Sequence, residues 1–229
     1  MTTFAKAATH TAQKSGSCAP KVKFCGLSHV SDIAAVNEAA PEYVGFVFWS
    51  KSKRAVDAER AKALRDVLDN TISTVGVFVD EDVAVVASLL KQGIISIAQL
   101  HGTEDDAYIA RLRDLVGRPI EVWKAFEVHD PSDVDKANAS CADLVLLDGG
   151  KGEGNAFPWE LLGGMTRPYA LAGGLSPENI EGALERCAPV IVDVSSGIEC
   201  KDDPVGSADS NTPHKDAQAM RSFMDKVRG

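Results

Sequence analysis

Leu171-Ala172-Gly173-Gly174-Leu175-Ser176-Pro177-Glu178-Asn179, followed closely by Val192-Asp193-Val194-Ser195-Ser196-Gly197, decides how this chain is read. In each stretch a short apolar run ends in small residues, and a helix-like segment follows the first. Gly173 and Gly174 carry no Cβ, so the backbone there can take positive φ and approach a ligand closely. Ser176 is the expected N-cap of the next helix, and Pro177 suits its first position. Free N–H groups at such a helix start attract an anion, most often phosphate. One Gly-Gly turn alone is as well explained by loop geometry. Two successive turns, late in a strand–helix alternation, have the pattern of the phosphate site formed after strands seven and eight of a (β/α)8 barrel.

The rest of the chain supplies that alternation. Strands are expected at Val22–Phe24, Tyr43–Phe48, Thr74–Val79, Ile94–Leu100, Ile120–Ala125, Leu144–Leu147, Tyr169–Ala172 and Val190–Val194. The near-continuous apolar run from Tyr43 to Phe48 suits a parallel strand buried on both faces. Helical spacing begins at Ile33, capped by Ser31 or Asp32, and recurs at Asp57–Leu68, Val83–Leu90 and Tyr108–Val116. It is weak at Ser132–Ala139, limited to one or two turns at Trp159–Leu162, and returns at Glu178–Arg186 and from about His214 to Val227. Alternation of this kind implies a parallel sheet, and eight units in one pass favour a closed barrel. The expected fold is therefore α/β, a single-domain (β/α)8 TIM barrel over residues 21–229. A flexible tail without acidic residues or a sustained apolar period, residues 1–20, precedes it. The chain's 229 residues fall between the lower limit of about 200 and the typical length of about 250 for this fold.

Composition narrows the function. Hydrophobic residues make up 45% and charged residues 25% of the chain, an ordinary globular balance. No apolar run approaches the roughly 18 residues that span a bilayer, and no apolar core of a secretory signal is present. The reading is a cytoplasmic protein with no membrane partner. A net charge of −9 argues against nucleic acid, which wants a basic footprint. An anionic ligand must then be held by local donors. Five widely spaced cysteines (Cys18, Cys25, Cys141, Cys187 and Cys200) contain no Cys-x-x-Cys pair and fit reduced thiols. No strand is followed by Gly-x-Gly-x-x-Gly, so a dinucleotide site has no support. Monomer and homodimer read alike, because amphipathic barrel helices look the same facing water or a neighbour.

Barrel chemistry sits at the C-terminal ends of the strands. That rule selects Cys25, Arg54, Gln99, His101, Lys124, Asp148, the Gly173-Gly174 turn and the Ser195-Ser196-Gly197 turn. A thiol, a carboxylate and a cation stand there with two anion-binding turns. Clustered His, Asp and Glu are lacking, so no metal site is expected. Each residue taken singly has an ordinary explanation. A strand-end Cys is commonly a small buried hydrophobe, and a strand-end Asp commonly caps a turn. Arg54 ends a solvated basic run, and His101 suits a structural hydrogen bond. Convergence on one face of one barrel favours the functional reading.

Lys23-Phe24-Cys25-Gly26-Leu27, Gly45-Phe46-Val47-Phe48 with Ser52-Lys53-Arg54, Gly76-Val77-Phe78 and Gln99-Leu100-His101-Gly102 are blocks of one recognisable series. Leu146-Leu147-Asp148, Leu171 to Leu175 with Pro177-Glu178-Asn179, and Val194-Ser195-Ser196-Gly197-Ile198-Glu199 complete it. In order, from Val22 onward, the series resembles the phosphoribosylanthranilate isomerase family of tryptophan biosynthesis. The resemblance implies a cofactor-free Amadori rearrangement of N-(5′-phosphoribosyl)anthranilate to 1-(o-carboxyphenylamino)-1-deoxyribulose 5-phosphate. It implies Asp148 as general acid and Cys25, as thiolate, as general base, a pair whose pKa values the site must push apart. By the same resemblance Arg54 binds the anthranilate carboxylate. Gly173, Gly174, Ser195, Ser196 and Gly197 bind phosphate, and His101 lies at the substrate pocket without an assigned proton transfer.

Two segments depart from the family. Where it commonly has Gly-Thr-Gly-x-x-Phe-Asp-Trp, this chain has Gly152-Glu153-Gly154-Asn155-Ala156-Phe157-Pro158-Trp159, adding a charge at Glu153 and losing a capping Asp at Pro158. A polar insertion, Cys200 to Asn211, also precedes Lys215-Asp216. Three other readings compete. A histidine-pathway sugar isomerase wants aspartates at strand ends one and five, where Cys25 and Lys124 stand. A non-catalytic phosphosugar-binding barrel would have lost Cys25 and Asp148. An aldolase-type barrel wants a strand-end Lys, for which Lys124 is the candidate.

Overall fold

The computed structural model describes residues 19–149, 159–201 and 212–229. Eight strands run in chain order: β1 (Lys21–Cys25), β2 (Tyr43–Val47), β3 (Ser73–Phe78), β4 (Ile97–Leu100), β5 (Glu121–Glu127), β6 (Leu144–Asp148), β7 (Tyr169–Ala172) and β8 (Ile191–Val194). Each pairs in parallel with the next, and β8 closes on β1 through the register Lys23↔Asp193. The helices are α1 (Ile33–Ala39), α2 (Ala58–Val67), α3 (Val83–Lys91), α4 (Asp106–Val116), α5 (Pro131–Ala139), α6 (Ile180–Arg186) and α7 (Ala217–Arg228). Among the described residues the connection after β6 carries a 3-10 segment, Trp159–Gly164, in place of an α-helix. Among the described residues no helix is long and apolar enough to cross a membrane.

Strand alternation sorts the side chains. Val22, Phe24, Val44 and Phe46 face outward into the layer shared with the helices. Tyr43, Val75, Ile97, Trp123, Leu144, Leu146 and Ile191 face inward and fill the barrel. Trp123 and Tyr43 meet edge to face at 5.1 Å between ring centroids, a favoured aromatic geometry. Nearer the C-terminal end the inward positions turn polar, with Lys23, Gln99 and Asp193 all buried. Cys25, Val47 and Val77 form a small cluster at the mouth, with Trp49 packed against it. The plugged barrel thus forms a floor beneath the mouth.

Aspartates start most of the helices. Asp57, Asp82, Asp105, Asp130 and Asp216 each accept a backbone N–H at the N-terminus of α2, α3, α4, α5 and α7, the usual work of an N-cap. In α5 the Asp130–Asp133 capping box and Pro131 at the first turn support nine residues of helix where spacing alone gave a weak signal. Two expected caps stand elsewhere. Asp32 sits at the start of α1 without capping it. Its carboxylate is buried and instead accepts from the Lys215 backbone N–H at 2.9 Å. Ser176 is not the N-cap of α6, which begins at Ile180 after Asn179. A turn intervenes, in which Glu178 N–H donates to Ser176 Oγ at 3.2 Å and Ser176 N–H donates to Asn179 Oδ1 at 2.8 Å. The Glu153 and Pro158 changes, residues 202–211 of the insertion and most of the N-terminal segment lie outside the described residues.

Candidate active site

A cavity of about 510 Å³ lies at the C-terminal ends of the strands. Cys25, Arg54, His101, Asp148, Gly173, Gly174, Ser195 and Ser196 all line it. Gly197 is not among the lining residues. A Cβ there would stand 2.1 Å from Leu175 O and 2.8 Å from Ser176 Cα, so this glycine lets the two small-residue turns pack against each other. Gly173 and Gly174 have φ of 91° and 66°, the left-handed region that favours glycine. A Cβ on Gly173 would also meet Gly149 N at 2.5 Å and Asp148 Oδ1 at 2.8 Å. The turn after β7 therefore lies directly against the carboxylate at the end of β6.

Lys124 does not belong to the site. It occupies an outward position of β5, where Nζ donates to Gly102 O at 2.6 Å and pairs with Glu104 Oε2 at 3.3 Å. The strand's alternation explains this, since Trp123, Ala125 and Glu127 take the inward face; Glu127 lines the cavity instead. An aldolase-type Schiff base at Lys124 thereby loses its geometric basis.

Cys25 is buried at the cavity wall, against Lys23 and Asp193. Lys23 Nζ pairs with Asp193 Oδ2 at 2.7 Å deep in the barrel and also hydrogen-bonds Cys25. Burial opposes the lysine charge, but Asp193 and Cys25 outweigh it and hold its pKa above the usual lysine value. The expected lowering of the Cys25 thiol is not found. Burial pushes its pKa up, and the attraction of Lys23 and Lys215 only partly opposes this, with Asp193 working in the same direction as burial. Removal from water disfavours the thiolate more than two nearby ammonium groups favour it.

Arg54 is held from behind. Its Nε donates to Glu199 Oε1, while Lys53 Nζ bonds Glu199 Oε2 at 3.1 Å and Lys215 Nζ reaches Oε1 at 3.3 Å. Burial works to raise the Glu199 carboxyl, yet Arg54, Lys215 and Lys53 together hold it below the usual carboxylate range. Lys215 is itself buried and donates to Ser195 O at 3.0 Å. Desolvation brings its pKa down to about 8 despite Glu199 and Cys25. On the other side His101 Nε2 lies 3.5 Å from Asp148 Oδ2, and Gln99 Nε2 lies 3.3 Å from His101 Nδ1. With the Gln99 amide oriented to donate, Nδ1 accepts and the ring proton stands on Nε2, facing the carboxylate.

Lys23, Asp193, Glu199 and Lys215 escaped the sequence reading of the site. The signal for two of them was present: Lys23 is two residues before Cys25 and Asp193 two before Ser195, on the same strand faces. Charged residues at inward positions of otherwise apolar strands require partners. Among the described residues no group of three or more His, Cys, Asp or Glu is placed to hold a metal ion.

Relatives share this arrangement's sequence and fold. The family model described as N-(5′-phosphoribosyl)anthranilate (PRA) isomerase matches residues 22–224. An N-(5′-phosphoribosyl)anthranilate isomerase of Thermoanaerobacter sp. (strain X514) is 38% identical over 216 residues, covering 91% of this chain and 98% of the relative. The phosphoribosyl anthranilate isomerase from Thermotoga maritima superposes with a TM-score of 0.75 at 30% identity, over 92% of this chain and 99% of that one. A phosphoribosyl anthranilate isomerase in complex with reduced 1-(o-carboxyphenylamino)-1-deoxyribulose 5-phosphate gives 0.74 at 29% identity, over 92% and 99%. With the family model matched from residue 22 to residue 224 and a relative 38% identical over nearly the whole barrel, the chain belongs to the N-(5′-phosphoribosyl)anthranilate isomerase family.

Proposed function

We propose that this cavity converts N-(5′-phosphoribosyl)anthranilate to 1-(o-carboxyphenylamino)-1-deoxyribulose 5-phosphate, with Asp148 as general acid and Cys25 as general base. As a member of its family the chain is an isomerase of L-tryptophan biosynthesis. The observation that carries the assignment of roles is the meeting of Cys25, Asp148, Arg54 and both small-residue turns on one cavity. Residues 21–229 act as one catalytic domain, working in the cytoplasm on a phosphosugar, with neither nucleic acid nor membrane as partner.

Protonated Asp148 gives its proton to the ribose ring oxygen as the C1′–O bond breaks, leaving a Schiff-base cation. Cys25, having first lost its own proton to solvent, then takes the proton from C2′ as thiolate and returns to the thiol, and the resulting enolamine tautomerises to the ketone. Both steps are proton transfers, so the reading needs no metal or organic cofactor. The upward push on the Cys25 thiol makes its thiolate a stronger base but a rarer one. A cation formed against Sγ raises the thiolate's share by opposite-charge attraction while lowering its basicity. His101 supports Asp148 by the Nε2 contact at 3.5 Å. Arg54 offers a planar fork to the anthranilate carboxylate. Gly173, Gly174, Ser195 and Ser196 hold the phosphate, with Gly197 setting the spacing of the turns.

Loss of anthranilate-type fluorescence from freshly made substrate tests the reading in wild type, Cys25→Ala and Asp148→Asn. Each variant is expected to fall by about two orders of magnitude or more, the contribution of a positioned acid or base. Wild-type turnover in either variant removes that residue from its role.

A further inference from the structure

Asp193 is a buried carboxylate that the steps above leave unused. One oxygen, Oδ2, is held by Lys23 at 2.7 Å. The other, Oδ1, is buried without a hydrogen-bond partner among the described residues. Such a vacancy is unusual, because buried polar atoms are nearly always paired and an ionised carboxylate has acceptor capacity on both oxygens. Asp193 nevertheless lines the cavity. It also adjoins Cys25, since Lys23 hydrogen-bonds both side chains.

Resting on the isomerase reading, we propose that Asp193 Oδ1 accepts the hydroxyl hydrogen on C2′, the carbon from which Cys25 takes its proton, and that Lys23 positions the carboxylate for this. A substrate carbon presented to Sγ brings its own hydroxyl alongside. Of the two unpartnered buried acceptors among the described lining residues, Gln99 Oε1 and Asp193 Oδ1, the one tied to Cys25 through Lys23 is that of Asp193. Lys23 fixes the carboxylate from beneath and balances its charge, so the group receives a hydroxyl without repelling an anionic substrate. Acceptance by a carboxylate explains why an inward position of β8 is charged when its neighbour Ile191 is apolar. Asp193 thereby selects a hydroxylated C2′ and orients its C–H bond toward Cys25.

Two probes read this directly by titration of their aminobenzoate fluorescence. One is the reduced 1-(o-carboxyphenylamino)-1-deoxyribulose 5-phosphate, which carries a C2′ hydroxyl; the other is the same molecule lacking that oxygen. Wild type is expected to bind the hydroxylated probe roughly 10- to 100-fold tighter, the value of a hydrogen bond to a charged acceptor. In Asp193→Asn the preference should shrink at least about tenfold, since the buried charge is gone. A merely structural role would weaken both probes equally and keep their ratio, and that result overturns the proposal. Equal wild-type affinity for the two probes also overturns it, whether or not the variant folds. Wild type that binds neither probe overturns the isomerase reading itself, a distinguishable failure.

Discussion

Gly45→Ala adds one methyl group where β2 runs directly against Cys25, and it disturbs the base without removing any reacting group. The register pairs Cys25 with Gly45. The new Cβ would stand 2.8 Å from Cys25 Sγ, 3.2 Å from Cys25 Cα and 3.2 Å from Lys23 Cε. Ordinary contact begins near 3.4 Å, so Sγ must retreat by about 0.6 Å. The backbone has little room to absorb this, because Gly45 O accepts from Gly26 N–H at 2.9 Å and from Leu27 N–H at 3.1 Å. Gly45 is not among the positive-φ glycines, so alanine suits its conformation and the clash is the whole perturbation. Overpacking of this size costs about 1–3 kcal/mol, which lowers Tm by roughly 2–4 °C per kcal/mol in a domain of this length. Displacing a reacting atom by about 1 Å costs on the order of 100-fold. The expected fall in kcat is therefore roughly 10- to 100-fold, with KM changing less because Arg54 and the glycine turns are untouched. Steady-state kinetics and thermal unfolding of the variant measure both quantities. The stability cost should shrink in a Cys25→Ala background, where the closest atom is gone. Wild-type kcat in folded Gly45→Ala would refute the placement of Cys25 as base.

Three further outcomes follow from the charges at the mouth. Burial brings Lys215 down to about 8, so between there and the ordinary lysine range the unfolded chain holds the extra proton and stability due to Lys215 rises with pH. Urea unfolding should show the wild-type minus Lys215→Met difference growing by about 3 kcal/mol across that window; a constant difference would contradict the buried, destabilised ammonium. Iodoacetamide labelling of the Cys25 peptide, followed by mass spectrometry, should have its pH midpoint above that of a free thiol, because burial and Asp193 outweigh Lys23 and Lys215. Lys23→Met should move the midpoint higher still, and a midpoint below a free thiol's would defeat the assignment. Arg54→Lys should raise KM roughly tenfold with a smaller change in kcat, since lysine cannot form the planar fork; an unchanged KM would take the carboxylate away from Arg54.

How far the sequence carried each conclusion depended on the range of the interaction behind it. Strand β7 was read with its observed bounds, and β1 and β8 within one residue at either end, because apolar runs and turn residues are local signals. Strand β4 was drawn too long at Ile94. That residue instead packs into the helix-facing core before the strand begins at Ile97. The alternation that placed Cys25 and Asp148 at the mouth also places Lys23 and Asp193 inward, but their 2.7 Å pairing crosses from β1 to β8 at opposite ends of the chain. Only barrel closure brings them together. Lys124 failed for the complementary reason, since one position along β5 separates an inward residue from an outward one. Asp32 looked like a cap by its neighbours in sequence, whereas its partner is the distant Lys215 backbone.

The chain's charge of −9 and its anionic ligand are reconciled by how the cations are disposed. Arg54 is the one lysine or arginine among the described residues that line the cavity. Glu199 engages its Nε, which leaves the terminal NH2 groups of the guanidinium for a second, planar carboxylate. On the proposed role of Arg54, an anthranilate carboxylate adds a partner without displacing the first. Glu199 in turn is shared with Lys53 and Lys215, so three basic side chains surround one acid and the cluster stays positive. Remote surface carboxylates act through water beyond a Debye length of about 8 Å and are largely screened. The local cluster is close and partly buried, so it is screened far less than those carboxylates. Placing Glu199 behind Arg54 therefore fixes the guanidinium's orientation while the cluster around it keeps a net positive charge.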